Sequence, residues 1–247
     1  MAVRYAREGA AAVLTIDRPD RRNAVDRDTA EALREHFRTF VADYDARVLI
    51  VTGANNTFCA GADLKAMNNP AAAPEGPMGF TRLASPKPTI AAVEGWCVAG
   101  GLEIACWCDL RIAARSAVFG CFERRWGVPL IDGGTQRLPR IVGLGRALDM
   151  ILSGRPVDAA EALRIGLANR LVDDGQALAA ALELAEKIAA FPWECVIADR
   201  QGVYEGLGLP LERGIQREAE LGRAAIPAAQ AGAARFASGE GRSGRGL

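Results

Sequence analysis

Two segments of the chain share one pattern of hydrophobic and polar positions. Residues 48–53 and 89–95 are each a β-branched apolar run that stops at a glycine, and residues 58–64 and 97–103 follow them with an Ala-Gly pair. The apolar runs predict buried strands and the Ala-Gly pairs predict helix starts. The first N–H groups of a helix lack intrahelical acceptors and favour an anion. Two such starts brought together would offer converging donors to an oxyanion.

The remaining pattern divides the chain into an α/β part and an all-helical part. No strand pattern follows Asp174, and residues 176–190 and 210–225 are helix formers. We therefore expect a core over residues 1–190 and a helical region over residues 191–247. The other predicted strands lie at residues 13–16, 110–113 and 168–172, and the other predicted helices at residues 27–43, 144–152 and 158–164.

Two segments are predicted to be irregular. Residues 68–77 are too rich in Pro and Gly for a regular element, which indicates either a mobile loop over a site or a plain linker. From about residue 238 the chain is rich in Gly, Ser and Arg, so the C-terminal tail is predicted to be disordered.

Composition and charge narrow the range of functions. The 247 residues carry 30 Lys and Arg against 30 Asp and Glu, so no basic excess exists to neutralise a nucleic acid. The longest apolar stretches have strand length and the N-terminus lacks the apolar core of a signal peptide, so we expect no membrane span and a cytoplasmic protein. Six cysteines lie in apolar runs without a Cys-x-x-Cys pair, and His36 is the only histidine. Free thiols and no metal site are expected.

Four short motifs follow one another along the chain. They are Arg22-Asn23-Ala24, residues 58–64, residues 95–109, and residues 119–123 with 133–138. In this order and at these separations they resemble the crotonase (enoyl-CoA hydratase/isomerase) superfamily. The resemblance implies an α/β fold of the ClpP/crotonase type, a spiral of ββα repeats whose helical C-terminal region forms homotrimers, often paired into homohexamers. It also implies a coenzyme A thioester substrate, no separate cofactor and a place in fatty-acid β-oxidation.

The resemblance assigns roles at the Ala-Gly motifs and at two glutamates. By motif position the N–H groups of Ala62 and Gly100 would form the oxyanion hole, with close packing alone as the alternative reading. Glu103 and Glu123 fall where hydratases carry their catalytic glutamates, so the implied reaction is addition of water to trans-2-enoyl-CoA. Glu103 would deprotonate the water and Glu123 would protonate C2, because burial lets such a pair share one proton near neutral pH. For Glu123, a surface ion pair with the two arginines that follow it stays open.

The chain departs from the typical hydratase pattern at two places. Ala99 replaces the first of three glycines that the family often carries, which we treat as a minor change. Asp132 aligns with the third acidic residue of the dienoyl-CoA isomerases in this superfamily. It would either move a proton, which makes enoyl- or dienoyl-CoA isomerisation the alternative function, or cap the helix predicted from residues 133–135. We favour the cap, since Asp is a preferred N-cap residue.

Two other classes are remote alternatives. A serine peptidase of the Clp type would need a base such as His36, which lies in the first predicted helix far in sequence from both motifs. A non-catalytic acyl-CoA- or RNA-binding member of the superfamily would have no use for both glutamates, and the neutral charge disfavours RNA.

The resemblance also implies contacts to coenzyme A. Its adenine would lie against the backbone of residues 60–64, and Arg22 and Lys65 would contact the phosphates. Trp96, Trp126, Leu130 and the Pro- and Gly-rich segment at residues 68–77 are expected to set the depth of the acyl pocket. The implied CoA- and substrate-binding residues are Arg22, Ala24, Ala60, Gly61, Asp63, Leu64, Lys65 and Trp96.

Overall fold

The strands precede the helical C-terminal part of the protein. The computed structural model describes residues 2–239. In chain order its strands are β1 (Val3–Glu8), β2 (Ala11–Ile16), β3 (Val48–Gly53), β4 (Thr89–Val93), β5 (Trp96–Val98), β6 (Leu110–Ala114), β7 (Val118–Gly120), β8 (Val157–Asp158) and β9 (Arg170–Val172).

The helices surround these strands and then form the C-terminal region. Two short 3₁₀ helices, Pro19–Arg21 and Phe122–Trp126, lie in connections. In chain order the α-helices are α1 (Arg27–Ala42), α2 (Gly100–Trp107), α3 (Gly134–Val142), α4 (Leu144–Ser153), α5 (Ala159–Arg164), α6 (Ala177–Ala190), α7 (Trp193–Gly206), α8 (Leu211–Ala224) and α9 (Ile226–Ala237).

The strands form two sheets. The larger sheet has the order β1-β2-β3-β4-β6-β9 and is parallel except for the β1–β2 pair. The smaller sheet has the order β5-β7-β8. Parallel strands with both faces covered are apolar on both faces, which explains why β3 and β4 stand out in the sequence as uninterrupted apolar runs.

The larger sheet is covered on both faces. Alternate residues of β3 enter different apolar clusters, with Leu49 on one side and Ile50 on the other. The cluster of Leu49 includes Phe37 of α1 and residues of α2. The cluster of Ile50 includes Ala181 and Ala185 of α6. The sheet therefore lies between α1 and α2 on one face and α6 on the other.

The second of the two predicted strand–loop–helix units is confirmed, whereas the first is wrong in its last part. Helix α2 begins at Gly100 as predicted. Residues 58–64 do not form a helix, because their backbone bonds to neighbouring segments instead. Val25 donates to Gly61 O at 2.8 Å and accepts from Asp63 N–H at 2.8 Å, and Cys59 N–H donates to Trp96 O at 2.8 Å.

The C-terminal region is helical, as predicted, but holds more helices than the pattern indicated. Within residues 2–239, α6, α7, α8 and α9 follow β9, and the sequence predicted only the first and third of these. None of the helices in that range is long and apolar enough to cross a membrane. The predicted disordered tail from about residue 238 falls almost wholly outside the described residues.

The Pro- and Gly-rich segment at residues 68–77 is irregular, as predicted, and is fixed to the core at several points. Asn69 Nδ2 donates to Val25 O at 3.1 Å and to Pro77 O at 3.0 Å. Glu75 pairs with Arg38 at 3.2 Å. The mobility of this segment stays a prediction.

The cysteines are free thiols, as the sequence indicated. Five of the six are buried, and Cys195 is partly exposed. Burial raises the pKa of Cys59 to about 12 and that of Cys106 to about 11. A buried thiol that stays protonated is a poor nucleophile, so these side chains serve the core.

Candidate active site

One cavity collects residues from several separate segments of the chain. It has a volume of about 410 Å³, and most of its wall is apolar. It opens where the loop after β3, the start of α2 and the loop before α3 meet. The predicted oxyanion-hole and acidic residues that line it are Ala62, Gly100, Glu103, Glu123 and Asp132.

The backbones of the two Ala-Gly motifs touch at this cavity. A Cβ on Gly61 would lie 2.8 Å from Gly100 N, and a Cβ on Gly101 would lie 2.1 Å from Cys59 O. Only glycine permits these approaches. Within the described part of the chain, the N–H groups of Ala62 and Gly100 donate no hydrogen bond. The structure therefore brings two unpaired donors to one cavity, as an oxyanion hole requires.

Ala99 enters α2 in an unusual conformation. Its φ is +53° and its ψ is −128°, a region that side chains other than glycine's rarely adopt. Such a residue typically stores about 1–3 kcal/mol of strain. The replacement of glycine by Ala99, which the sequence led us to treat as minor, is thus a real change in the backbone next to a candidate oxyanion donor.

Glu103 is held firmly by one of its two carboxyl oxygens. Its Oε1 accepts from Gly134 N–H at 2.8 Å and from Asp132 N–H at 2.9 Å, and the residue is 3% exposed. Gly134 is the first residue of α3, so the carboxyl group also lies at a helix N-terminus. Burial, opposed by the bond from Gly134 and reinforced by the charge of Asp132, raises the pKa of Glu103 to about 7.

Glu123 is a buried carboxyl without a partner. It is 6% exposed, and within residues 2–239 neither of its oxygens has a hydrogen-bond partner. Burial raises its pKa, which favours the protonated form. The alternative of a surface ion pair is wrong, because Arg124 and Arg125 donate to the carbonyls of Ile151 and Gly154 instead.

Asp132 does not cap α3, so the favoured interpretation from the sequence is wrong. The N-cap position is Gly133, and the first N–H of α3, that of Gly134, is taken by Glu103 rather than by Asp132. The Asp132 carboxyl turns to the opposite side, where Oδ1 accepts from Met78 N–H at 3.0 Å and from the Thr81 hydroxyl. Burial raises the pKa of Asp132.

The predicted coenzyme A contacts divide into residues that line cavities and residues that do not. Ala60 and Leu64 line the main cavity. Ala60 also lines an adjoining cavity of about 280 Å³, together with Arg22 and Trp96. Gly61 lies between the lining residues Ala60 and Ala62.

Besides Gly61, three of the predicted contacts line neither cavity, namely Ala24, Asp63 and Lys65. Asp63 pairs with Arg18 at 3.1 Å, and the same guanidinium bonds to Ala24 O. Asp63 Oδ1 also accepts from Lys65 N–H at 3.1 Å. Ala24 and Asp63 therefore shape the loop at the cavity, whereas the Lys65 side chain is exposed.

Several residues at the cavity were not found from the sequence. Met78, directly after the irregular segment, lies against Gly100, whose added Cβ would be 2.8 Å from the Met78 sulfur. Phe122 was also missed and lines both cavities. Of the residues expected to set the depth of the acyl pocket, Trp126 lines both cavities, whereas Leu130 is buried in the core and its neighbour Ile131 lines the main cavity instead. The Gly133-Gly134 pair carried a signal for close approach that was not drawn from the sequence.

The structure disfavours a peptidase site. His36 stacks on Tyr5 with the rings 5.5 Å apart, and it lines neither cavity. Residues 2–239 contain no group of three or more His, Cys, Asp or Glu side chains that could hold a metal ion.

Two converging backbone donors beside two buried carboxyl groups define a class of site. Such a site can stabilise an oxyanion and transfer protons to and from the neighbouring carbon atoms.

The chain matches a known family over nearly its whole length. The family model for enoyl-CoA hydratase/isomerase matches residues 6–238. The short-chain-enoyl-CoA hydratase of Clostridium acetobutylicum is 38% identical over 222 residues, which cover 87% of this chain and 85% of the relative. The crystal structure of enoyl-CoA hydratase EchA1 from Mycobacterium marinum has a TM-score of 0.89 and 35% identity, with 96% of each chain covered. That of enoyl-CoA hydratase from Bacillus anthracis has a TM-score of 0.90 and 31% identity, again with 96% of each chain covered.

The chain belongs to the enoyl-CoA hydratase/isomerase family and has the crotonase fold. The family and the fold class expected from the sequence motifs are therefore confirmed. The boundary between a core ending at residue 190 and a C-terminal region starting at residue 191 stays a prediction.

Proposed function

We propose that this protein hydrates trans-2-enoyl-CoA thioesters to 3-hydroxyacyl-CoA. The relatives named above are enoyl-CoA hydratases, and this chain matches them over most of their length. The observation that carries the proposal is the cavity in which Glu103 and Glu123 lie beside the N–H groups of Ala62 and Gly100. Two carboxyl groups and two unpaired donors are what hydration of an enoyl thioester needs.

The two glutamates suit different protonation states. Glu103 has a pKa of about 7 and is held through Oε1 alone, which leaves Oε2 to bind a water molecule. Glu123 is buried without a hydrogen-bonding partner within residues 2–239, so its protonated form is favoured. Glu103 is therefore the base and Glu123 the acid.

In the proposed reaction one glutamate takes a proton from water and the other gives a proton to C2. The thioester oxygen accepts from Ala62 and Gly100, and Glu103 takes a proton from water as the water oxygen bonds to C3. The C2–C3 π electrons move to the thioester oxygen as an enolate. The proton of Glu123 then moves to C2 and the thioester carbonyl reforms. Transfer of the proton from Glu103 to Glu123 restores the starting state.

Coenzyme A binding is assigned to the entrance of the cavity. In this proposal the backbone at Ala60, Gly61 and Leu64 receives the adenine. Arg22, which lines the adjoining cavity, and the exposed Lys65 receive the phosphates. Trp96 offers an exposed ring beside Arg22 in the adjoining cavity. The thioester is the substrate, and the reaction uses no separate cofactor.

A trimer or hexamer is part of the proposal. The C-terminal helices and the turn between them expose large apolar side chains that a lone subunit leaves in water. Light scattering at micromolar concentration is expected to give a multiple of three of the 26.2 kDa chain, and a monomer would contradict this. The exposed side chains are Val203, Leu207, Leu209, Leu211, Ile215, Ile226 and Phe236.

Isomerisation of enoyl- or dienoyl-CoA is the second candidate, and the position of Asp132 favours it. Asp132 lines the same cavity as both glutamates and is 2% exposed. A third carboxyl group there would allow a proton to move along a longer unsaturated chain. Membership of the family alone does not separate the two reactions, since its name covers both.

An absorbance assay separates the candidates. Purified protein is mixed with crotonyl-CoA and, separately, with a 3,5-dienoyl-CoA, and the conjugated thioester is followed. Hydration predicts loss of the crotonyl-CoA signal, with Glu103→Gln and Glu123→Gln each slower by about 10²–10⁴-fold and thioester binding retained. The exposed helix residue Glu35, changed to Gln, is the matched control. Equal rates for all three variants would contradict the assignment of Glu103 and Glu123 as the catalytic pair. Conversion of the dienoyl-CoA alone would favour the isomerase.

A further inference from the structure

One stretch of chain forms a wall between the main cavity and the rest of the core. We call residues 76–82 the strap. Met78 and Thr81 of the strap are 1% and 0% exposed, and Met78 lines the cavity. The Met78 sulfur would lie 2.8 Å from a Cβ on Gly100. The strap therefore places a side chain against Gly100, whose N–H is one of the two candidate oxyanion donors.

Asp132 holds the strap through its carboxyl group. Its Oδ1 accepts from Met78 N–H at 3.0 Å and from the Thr81 hydroxyl. Gly76 leaves room for this contact, since a Cβ there would lie 2.8 Å from the same oxygen. Arg137 also links the strap to the loop before α3, because its guanidinium donates to Asp132 O at 2.8 Å and to Thr81 O at 2.7 Å. The strap and the loop before α3 are thus joined at several points, with Asp132 at the centre.

The same residue holds Glu103 through its backbone. Asp132 N–H donates to Glu103 Oε1 at 2.9 Å, beside the bond from Gly134. The main chain of Asp132 thus fixes the candidate base, while its side chain fixes the strap over Gly100. A displacement of the strap pulls on the loop that orients Glu103.

We propose that Asp132 is a positioning residue, which ties the strap to the loop that orients Glu103 and so sets the oxyanion hole and the base relative to each other. This inference rests on the proposed hydratase function. It differs from both roles expected from the sequence, since Asp132 neither caps α3 nor needs to exchange a proton with the substrate.

The consequence of removing the carboxyl group follows from burial. Without Asp132 Oδ1, Met78 N–H and the Thr81 hydroxyl would be left buried and unpaired, which structures avoid by moving. A movement of about 1 Å at a catalytic site can lower the rate by about a hundredfold. Asp132→Ala is therefore expected to lower kcat about a hundredfold, with a smaller change in KM.

The conservative variant separates positioning from proton transfer. Asn keeps an acceptor oxygen in the same place, so Asp132→Asn should retain kcat within about threefold, because an amide oxygen accepts the same two bonds. A proton-transfer group would behave differently, since the amide cannot take up a proton and Asn would be as inactive as Ala.

A variant on the other side of the bond gives an independent test that does not alter Asp132. Thr81→Val removes the hydroxyl and nearly preserves the shape of the side chain. Loss of a hydrogen bond to a charged group changes the equilibrium between the tied and the untied strap by about tenfold or more. We expect kcat to fall about tenfold. Thr39→Val on the exposed face of α1 is the matched control, because among residues 2–239 the Thr39 hydroxyl bonds only to Glu35 O within the same helix.

The experiment measures kcat, KM for crotonyl-CoA and the melting temperature of six proteins. They are wild type, Asp132→Asn, Asp132→Ala, Thr81→Val, Thr39→Val and the double variant Asp132→Ala/Thr81→Val.

A positioning role predicts that Asp132→Asn keeps the kcat that Asp132→Ala loses. It also predicts that the double variant is no slower than Asp132→Ala, since both changes remove the same connection between Asp132 and the strap. Asn as inactive as Ala, or Thr81→Val at the rate of Thr39→Val, overturns the inference. If Asp132→Ala does not fold, Asn and Thr81→Val still decide. Wild type without hydratase activity would instead refute the proposed function.

Discussion

A single methyl group added at Gly134 tests whether the placement of Glu103 governs the reaction. Its N–H donates to Glu103 Oε1 at 2.8 Å. A Cβ built on Gly134 would lie 2.9 Å from both Cγ and Oε1 of Glu103, whereas ordinary contact begins at 3.4 Å. Gly134→Ala therefore requires the Glu103 side chain to move by at least about 0.5 Å.

The structure lets us estimate both effects of this change. Because a misplacement of about 1 Å at a catalytic group can cost about a hundredfold in rate, we expect kcat to fall about ten- to a hundredfold. Gly134 lies at the start of α3 and has no positive φ, so alanine fits its backbone and gains up to about 1 kcal/mol of helix propensity. Forcing the new methyl group against buried Glu103 typically costs about 1–3 kcal/mol, so the melting temperature should stay level or fall by a few degrees while kcat falls. KM should change little, since the contacts at Ala62 and Gly100 remain.

The assay compares Gly134→Ala with Gly145→Ala in α4. A Cβ on Gly145 meets no atom within 4 Å, so the control makes the same substitution at a helix start without a contact. Initial rates with crotonyl-CoA give kcat and KM, and thermal denaturation gives stability. If Gly134→Ala turns over within twofold of Gly145→Ala, the position of Glu103 does not govern the reaction and the reasoning is refuted.

The remaining predictions concern pH and backbone strain. Because kcat/KM reports the free enzyme, its acid limb should fall below about pH 7, where Glu103 protonates, and Glu103→Gln should lack that limb. The raised pKa of Glu103 contributes stability that is fully present below pH 4.5 and is lost as the pH rises through about 7. Between pH 4 and pH 8 the free energy of unfolding of Glu103→Gln should therefore rise by about 3 kcal/mol relative to that of wild type, as measured by denaturation. Ala99→Gly should raise stability by about 1 kcal/mol, since released strain exceeds the added chain entropy; a lower melting temperature would contradict this.

The parts of the fold that could be predicted from the sequence are those that local pattern determines. Strands β3 and β4 are apolar because both faces of the sheet are covered, and α1 shows its buried face at helical spacing. Strands β5, β7 and β8 have only two or three residues, too few for a periodic signal. Helix α7 buries no residue in the single chain, so it shows no apolar stripe to find.

The candidate site shows the same division. Glu103 and Glu123 could be found from motif position, and Gly100 from the helix start after the second apolar run. The helix predicted after the first run was wrong because Ala-Gly pairs serve close backbone approach as well as helix starts, and contacts with Val25 and Trp96 decided between them. The partners of Asp132 are 51 and 54 residues away in sequence, so no local pattern could separate a cap from a tie to the strap.

Turnover of crotonyl-CoA in deuterated water is the most direct test of the chemistry proposed for this cavity. Hydration predicts a 3-hydroxybutyryl-CoA product with one deuterium at C2, which NMR and mass spectrometry both detect. When the water is also enriched in oxygen-18, mass spectrometry should find the heavy oxygen at C3. Glu103→Gln and Glu123→Gln should each abolish this product on the same time scale while still binding the thioester. Wild-type protein that binds crotonyl-CoA but leaves it unchanged, or that shifts the double bond without adding water, would contradict the assignment of Glu103 and Glu123 as the base and the acid of a hydratase.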